Sequence, residues 1–184
     1  MRIQPLALLL FAACGNQVNS TADAQKAYLG LDPSIDQAIT LGFAGFNGAQ
    51  SANISPQTAM GKVTGSLTVS GQVDQGASSN KGMRLNTAYA NFSDDGHITY
   101  DTAAQSLPAL TMQLKNIPTG TLTGTLVGTV SMKGDEQGAL ALNLAFTGQL
   151  MAGANNTVER ATGTTHITGT ATSSAGTYQV DVTR

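Results

Sequence analysis

The clearest pattern in the chain is a strict alternation of apolar and polar residues over residues 121–150. In two runs, every even-numbered position is Leu, Val, Met, Phe or Gly, and the odd-numbered positions are mainly Thr, Ser, Asn, Gln and Ala. Because successive side chains of a strand point to opposite faces, each run predicts a strand with one buried and one exposed face. The polar, glycine-bounded segment at residues 133–138 predicts the turn that joins them into a hairpin.

The sizes of the inward residues predict the register of this hairpin. Pairing Phe146 with Gly124 sets a large side chain opposite a glycine, and the same register pairs Leu142 with Gly128. It also centres the turn on residues 134–136. A pairing of Phe146 with Leu126 is the alternative, and it would move the centre of the turn by one residue.

A two-residue period also runs through most of the chain after residue 61. It predicts six further strands, near residues 63–73, 83–92, 98–100, 110–114, 161–171 and 177–183. Glycine inside a strand marks a bend or a close approach. Since four Thr-Gly steps place a glycine on the apolar face, we expect a strongly curved sheet. These glycines are Gly65, Gly124, Gly148 and Gly169.

A helical period precedes the strands. Asp32 is a residue type that caps helices, Pro33 suits the first helical position, and apolar residues then recur at intervals of three and four. Because further apolar residues lie off that face, we predict a largely buried helix at residues 33–48. Its three glycines cost helix stability, so we expect another part of the chain to approach them closely.

Together these patterns predict a mainly β chain with one N-terminal helix: a single curved antiparallel sheet or partial barrel of about seven or eight strands, packed on a buried helix. A closed barrel of eight strands has an interior only wide enough for its own side chains, whereas a helix is about 10–12 Å across. The sheet must therefore be open, or the helix must plug one end. We expect the four strand glycines to let the helix approach the concave face. We also expect Leu67, Leu126, Leu144 and Phe146 to pack around Ile39, Phe43 and Phe46, which would leave no room for a lipid.

Composition limits the function classes. Hydrophobic residues make up 41% of the chain, which is typical of a folded protein, while charged residues make up only 11%. A net charge of −2 offers no electrostatic attraction for phosphate, which argues against nucleic acid as a partner. The chain has no Trp and 5% aromatic residues, so stacking on bases or sugars is not expected either.

The start of the chain has the pattern of a secretory signal: Arg2, an apolar run at residues 6–11, then Ala12 and Ala13. Cys14, the single cysteine, follows directly, and this arrangement resembles the lipobox of bacterial lipoproteins. The resemblance implies lipidation of Cys14, a membrane anchor and a location in the cell envelope. The inner-membrane retention signal of that family would place Asp where this chain has Gly15, so delivery to the outer membrane is expected. An ordinary secretory signal with an incidental cysteine is the alternative.

The sequence is thus divided into three parts. Residues 1–13 are predicted to be a signal peptide, and residues 14–27, which are polar and lack a period, the lipidated cysteine with a flexible tether. Residues 28–184 are predicted to form the β-rich domain.

Residues able to carry chemistry are few and scattered. His97 and His166 have no spacing typical of a zinc site, and no serine lies in a nucleophile elbow. Asp94, Asp95 and Asp101 could together hold a calcium ion, although a solvated hairpin turn explains the first two better. We therefore predict no catalytic, cofactor-binding or metal-binding residue, and Cys14 as the one modified residue.

The function that these observations favour is a membrane-anchored lipoprotein with a non-catalytic structural or binding β-domain. One alternative is a carrier or sensor of a hydrophobic ligand such as a lipid, and a hydrolytic enzyme is another. An apolar cavity on the order of several hundred Å³ would favour the carrier. A cleft converging on His97 or His166 with acidic neighbours would favour the enzyme. The partner expected from the sequence is the membrane, and the sequence does not identify a protein or ligand.

Overall fold

Two helices and eleven strands form the fold in the computed structural model, which describes residues 16–184. In chain order they are β1 (Asn16–Gln17), α1 (Thr21–Leu31), α2 (Pro33–Gly48), β2 (Asn53–Met60), β3 (Thr64–Val73), β4 (Lys81–Ser93), β5 (Ile98–Asp101), β6 (Ala109–Lys115), β7 (Gly120–Gly134), β8 (Glu136–Ala152), β9 (Val158–Arg160), β10 (His166–Ser173) and β11 (Gly176–Thr183). A short 3-10 turn, Ala154–Asn156, lies between β8 and β9.

The hairpin of β7 and β8 is the longest strand pair, and its predicted register is confirmed. Phe146 pairs with Gly124, and Leu142 pairs with Gly128. A Cβ atom added at Gly124 would lie 2.5 Å from Cζ of Phe146, so the aromatic ring occupies the space that the glycine leaves. The register that pairs large side chains with glycines is therefore the same register that the position of the turn requires.

The sheet is a single, mainly antiparallel one with the order β11-β10-β8-β7-β5-β4-β3-β2. Two positions in it are shared: β5 and β6 both lie between β4 and β7, and β9 and β10 both pair with β8. The sheet is therefore eight strands wide, although more segments contribute to it. Its edges, β2 and β11, do not pair with each other, so the sheet forms part of a ring and not a closed barrel. The predicted fold class is confirmed.

The structure departs from the sequence-based expectations at three places. Strand β2 was not predicted, because this edge strand is mostly exposed and its register shifts between Ile54 and Gln57, around Pro56. The alternation that predicts this strand places Val63 on the same face as the buried Leu67, but Val63 is 60% exposed, because Gly65 adopts a positive φ of 68° where the β3–β4 register shifts. The strand predicted at residues 161–171 begins only at His166, in β10, because residues 161–165 form a turn after β9 ends at Arg160.

The helix predicted at residues 33–48 is confirmed as α2, but it is the second of a pair. The predicted flexible tether of residues 14–27 is wrong for its described part, since Val18 is fully buried and α1 begins at Thr21. Ser20 caps α1 by accepting a hydrogen bond from the backbone N–H of Asp23. Small alanines form much of the buried face of α1, so its amphipathic period is weak.

The two helices cover the concave face between the open edges of the sheet. Helix α1 packs beside β11, and α2 packs beside β2 and β3. One continuous core joins helices and sheet, with Ile39 fully buried in it and Phe43 and Phe46 only partly buried at its margin. The buried Tyr100 hydroxyl donates a hydrogen bond of 2.6 Å to the carbonyl of Ala27, which ties β5 to α1.

The close approach between helix and sheet uses glycines of the helix, not those of the strands as predicted. A Cβ atom at Gly42 would lie 3.0 Å from Sδ of Met83, and one at Gly45 would lie 2.8 Å from Cβ of Ile54. The strand glycines face other parts of the sheet instead. Nearest to them are Asn91 for Gly65, Phe146 for Gly124, Thr165 for Gly148 and Asn143 for Gly169.

Two glycines of α2 provide a matched test of this packing. Gly45→Ala is expected to lower the free energy of unfolding by about 1–3 kcal/mol, because the added methyl group overpacks against Ile54. Gly48→Ala has nothing within 4 Å of the new Cβ and is expected to leave stability unchanged or to raise it by up to about 1 kcal/mol. Urea denaturation followed by circular dichroism measures both. Equal stabilities for the two variants would contradict the packing of α2 on β2.

Candidate functional site: a clamp and a groove on helix α2

The segment between β8 and β10 contacts helix α2 and is held there by ion pairs of one side chain, Arg160. Arg160, at the end of β9, is only 6% exposed. Its Nη2 lies 2.7 Å from Oδ2 of Asp32, and its Nε lies 2.7 Å from Oδ1 of Asp36. We call this group, Arg160 with Asp32 and Asp36, the clamp. It binds β9 to the first turn of α2 by charge-assisted hydrogen bonds.

Asp32 is the centre of the clamp. Its carboxylate is 2% exposed and also accepts a hydrogen bond of 2.7 Å from the hydroxyl of Tyr28, with Nε of Arg184 at 3.3 Å. Burial alone would raise the pKa of Asp32, but the hydrogen bond and charge of Arg160, with help from Tyr28 and Arg184, hold its pKa below the usual value. Burial beside this carboxylate raises the pKa of Tyr28, so its hydroxyl stays a donor.

The predicted capping role of Asp32 was wrong. Its backbone is already helical and its side chain makes no capping hydrogen bond, because the carboxylate is bound by Arg160, Tyr28 and Arg184. The spacing carries a signal that the sequence reading missed. Tyr28, Asp32 and Asp36 follow at four-residue intervals, which places them on one side of a helical segment.

Next to the clamp, an open groove of about 480 Å³ lies along the C-terminal half of α2. One wall is the helix itself, with the rings of Phe43 and Phe46, and the opposite wall is formed by the segment that leads into β9, with Val158. We call it the α2 groove. Its full lining is Thr40, Phe43, Ala44, Phe46, Asn47, Lys81, Ile117, Asn155, Asn156, Thr157 and Val158.

Lys81 is the one ionisable residue in that lining. The residue is 4% exposed, and its ammonium nitrogen lies 4.5 Å from the centre of the Phe46 ring. It also donates a hydrogen bond to the carbonyl of Gly76. The alternation of β4 places Lys81 on the same inward face as Met83 and Leu85. A charged residue at an inward strand position is unusual, and this is how the sequence marks Lys81 as a candidate site residue.

A second cleft, of about 460 Å³, shares Thr40 and Val158 with the α2 groove but is lined by charged and polar groups. Among them are Asp36 and Arg160 of the clamp, and Lys62 and Asp94. Gln37 also lines it, and its amide donates to Asp94 while its buried Oε1 has no hydrogen-bond partner. Asp36 and Arg160 of the clamp thus line the polar cleft, which adjoins the α2 groove at Thr40 and Val158.

The two histidines lie apart from both cavities. His166 is exposed, with Nε2 2.7 Å from Oδ1 of Asp181. His97 is also exposed, with Nδ1 3.5 Å from Oδ2 of Asp135. Neither lines the α2 groove or the polar cleft.

The three aspartates considered for calcium are each held by local partners. Asp94 accepts a hydrogen bond from the backbone N–H of Lys62, Asp95 from that of His97, and Asp101 from that of Asn91, each at 2.8 Å. Across residues 16–184, no three side chains of His, Cys, Asp or Glu are grouped so that they could hold a metal ion.

The predictions for the start of the chain, a signal peptide at residues 1–13 and lipidation of Cys14, lie outside the described residues. Within residues 16–184, neither helix has the length and apolar character needed to span a bilayer.

Removing the buried charge at the centre of the clamp tests its contribution to stability. Asp32→Asn is expected to lower the free energy of unfolding at neutral pH by about 1.5–3 kcal/mol, because Arg160 loses its buried counter-ion and keeps only the more exposed Asp36. Asp181→Asn, at a carboxylate whose side chain is 72% exposed, is the matched control and is expected to change stability by less than about 1 kcal/mol. Urea denaturation measures both variants.

The clamp also predicts a dependence on pH. Because the pKa of Asp32 is lowered in the folded chain, its stabilising contribution is complete above its ordinary pKa of 3.8 and is lost as the pH falls through the lower, folded value. The parent should therefore lose stability as the pH falls below about 4, and Asp32→Asn should lose less over the same range. Identical acid transitions for the two would contradict the assignment.

Comparisons of the chain with protein-family models, with curated proteins and with solved structures found no match. The candidate site is therefore defined by its own residues. Arg160, Asp32 and Asp36 fix β9 on the helix, and the α2 groove beside them carries a buried lysine.

Proposed function

We propose that the chain is a membrane-anchored lipoprotein of the bacterial cell envelope whose β-domain binds a partner molecule and does not catalyse a reaction. The observation that carries the proposal is the α2 groove. It is a concave site of about 480 Å³ on the margin of a core that is otherwise filled by side chains. Ligand sites are commonly of this size and are lined mainly by apolar side chains with a few polar groups.

The groove favours binding of an apolar molecule over the purely structural role. Two aromatic rings, Ile117 and Val158 offer contact surface, and asparagine and threonine side chains lie among them. The clamp holds β9 against the first turn of α2, and β9 contributes Val158 to the groove wall. A carrier or sensor of a hydrophobic ligand is thus the form of the binding function that the geometry supports best.

The hydrolytic alternative has one supporting contact, the pair of His166 and Asp181. A base held by a carboxylate is one part of a nucleophilic site. Both side chains lie on an exposed part of the sheet, and the α2 groove lies elsewhere. The binding function is therefore preferred.

The anchor is supported by the sequence of residues 1–14 and by the position of the first ordered contacts after it. The backbone N–H of Asn16 donates to the carbonyl of Asp135, and Val18 is fully buried. With lipid on Cys14, the domain would begin almost at the membrane surface, with the β7–β8 turn beside the anchor.

A substitution of the cysteine tests the anchor. Cys14→Ser is expected to leave the chain uncleaved or released from membranes, whereas the parent should fractionate with membranes and carry the mass of acyl groups on its first residue. Expression in a bacterial host, followed by fractionation and mass spectrometry, measures both. A parent without acyl mass that fractionates as the variant does would contradict lipidation.

Blocking the groove tests the binding function. Ala44 lies in the groove wall at an exposed position, so Ala44→Trp should fill the groove without disturbing the core. Ala139→Trp, on the exposed face of β8, is the matched control. Small molecules extracted from the purified full-length chain should include an apolar species that is present in the parent and the control and absent from Ala44→Trp. The same extract from all three would contradict the proposal.

A further inference from the structure

We infer that the α2 groove binds a single-chain amphiphile with a terminal carboxylate, a ligand of the fatty-acid class, and that Lys81 is its counter-ion. The inference rests on the proposed binding function and names the chemistry of the ligand. It is carried by three features: a buried cation without an anionic partner, an apolar wall beside it, and the presence of one charge only in the lining.

The ammonium of Lys81 is incompletely satisfied in the described part of the chain. An ammonium carries three N–H donors, and the two partners seen are the carbonyl of Gly76 and the face of the Phe46 ring. Burying a charge without an ion pair is costly unless an opposite charge approaches it. A ligand that brings a carboxylate to this position would gain that stabilisation as binding affinity.

The nearby carboxylate is already committed elsewhere. Asp74 accepts a hydrogen bond of 2.7 Å from Nη2 of Arg84 and one of 3.0 Å from the backbone N–H of Gly82. Arg84 is the main reason that the pKa of Asp74 is lowered, and the charge of Lys81 contributes least. Within residues 16–184, Lys81 forms no ion pair of its own, so its positive charge remains available to a ligand.

The remaining lining fits an alkyl chain. Phe43, Ile117 and Val158 are apolar, and Phe46 presents its ring both to the ammonium and to the groove. A chain lying along these residues would place its charged end over Lys81. Because the groove is open to solvent, a long chain could extend beyond it.

The charge of the lining selects the head group. A phosphate monoester at neutral pH carries more charge than one ammonium neutralises, and the geometry of a phosphate group is matched best by arginine. The groove contains no arginine and a single lysine, with asparagine and threonine side chains able to donate to a second oxygen. A carboxylate matches this set in charge and in number of acceptor atoms.

Titration calorimetry with two ligands of equal chain length tests the inference. Decanoate and nonyltrimethylammonium, both kept below the concentration at which they form micelles, carry the same nine-carbon alkyl chain on head groups of opposite charge. We expect decanoate to bind the full-length chain about 10- to 100-fold more tightly, the range for one hydrogen bond to a charged group.

Three variants assign the effect to Lys81. Lys81→Met should abolish the preference for decanoate, and Lys81→Arg should retain most of it because the positive charge remains. Lys115→Met is the matched control: it removes a lysine one position beyond Leu114, the strand partner of Lys81, but on the exposed face of β6. Circular dichroism and thermal denaturation show whether each variant is folded.

The outcomes separate the inference from the function on which it rests. Equal binding of the two ligands, abolished by Ala44→Trp, would overturn the role of Lys81 and leave the binding function in place. A preference for decanoate that is retained in Lys81→Met would also overturn the role of Lys81. If neither ligand binds but a photo-crosslinker at residue 44 reacts with one specific envelope protein, the occupant is a protein and the fatty-acid class is wrong. No binding and no crosslink would overturn both proposals.

Discussion

The concave face of the sheet is apolar and must be shielded from water, and the other features of the structure depend on the two helices that shield it. The sheet is wide and curved, but its edge strands β2 and β11 do not meet, so its apolar interior would face water without another element. Helices α1 and α2 supply that cover by packing along opposite edges. Gly42 and Gly45 let the sheet side chains Met83 and Ile54 come close to α2, which no larger residue would allow.

A helix that fills a partial barrel leaves its outer side exposed, and the clamp acts there. Arg160 brings the segment between β8 and β10 across α2 and binds two aspartates of the helical region at once. A buried ion pair of this kind is a weak source of net stability compared with apolar packing, but it fixes geometry because each charge needs its partner. The position of β9 is fixed in this way, and with it the width of the α2 groove.

Much of this fold could be predicted from residue sizes and alternation, and the reasons for the failures are physical. The β7–β8 register followed from Phe146 opposite Gly124, since a two-residue period allows few alternatives. Strand β2 could not be predicted, because Pro56 and a register shift interrupt its pattern, and α1 was missed because alanines dominate its buried face. The clamp joins residues more than a hundred positions apart, which no local pattern reports. Lys81 lay outside the strand predicted at residues 83–92, but extending the alternation of Met83 and Leu85 by one step would have placed it inward.

The length of strand β8 sets the distance between the proposed anchor and the α2 groove. Strand β8 begins beside β1, close to the proposed anchor, and ends where it pairs with β9 at the wall of the groove. Its 17 residues, at about 3.3 Å each, span about 55 Å, which exceeds the thickness of a bilayer. Within the described residues, β1 pairs with β8 and Val18 is fully buried, so the chain is packed on the domain from Asn16 onward. An anchored chain would therefore hold its groove well out in the aqueous layer, where it would meet single dissolved amphiphiles and not those still embedded in the membrane that carries it.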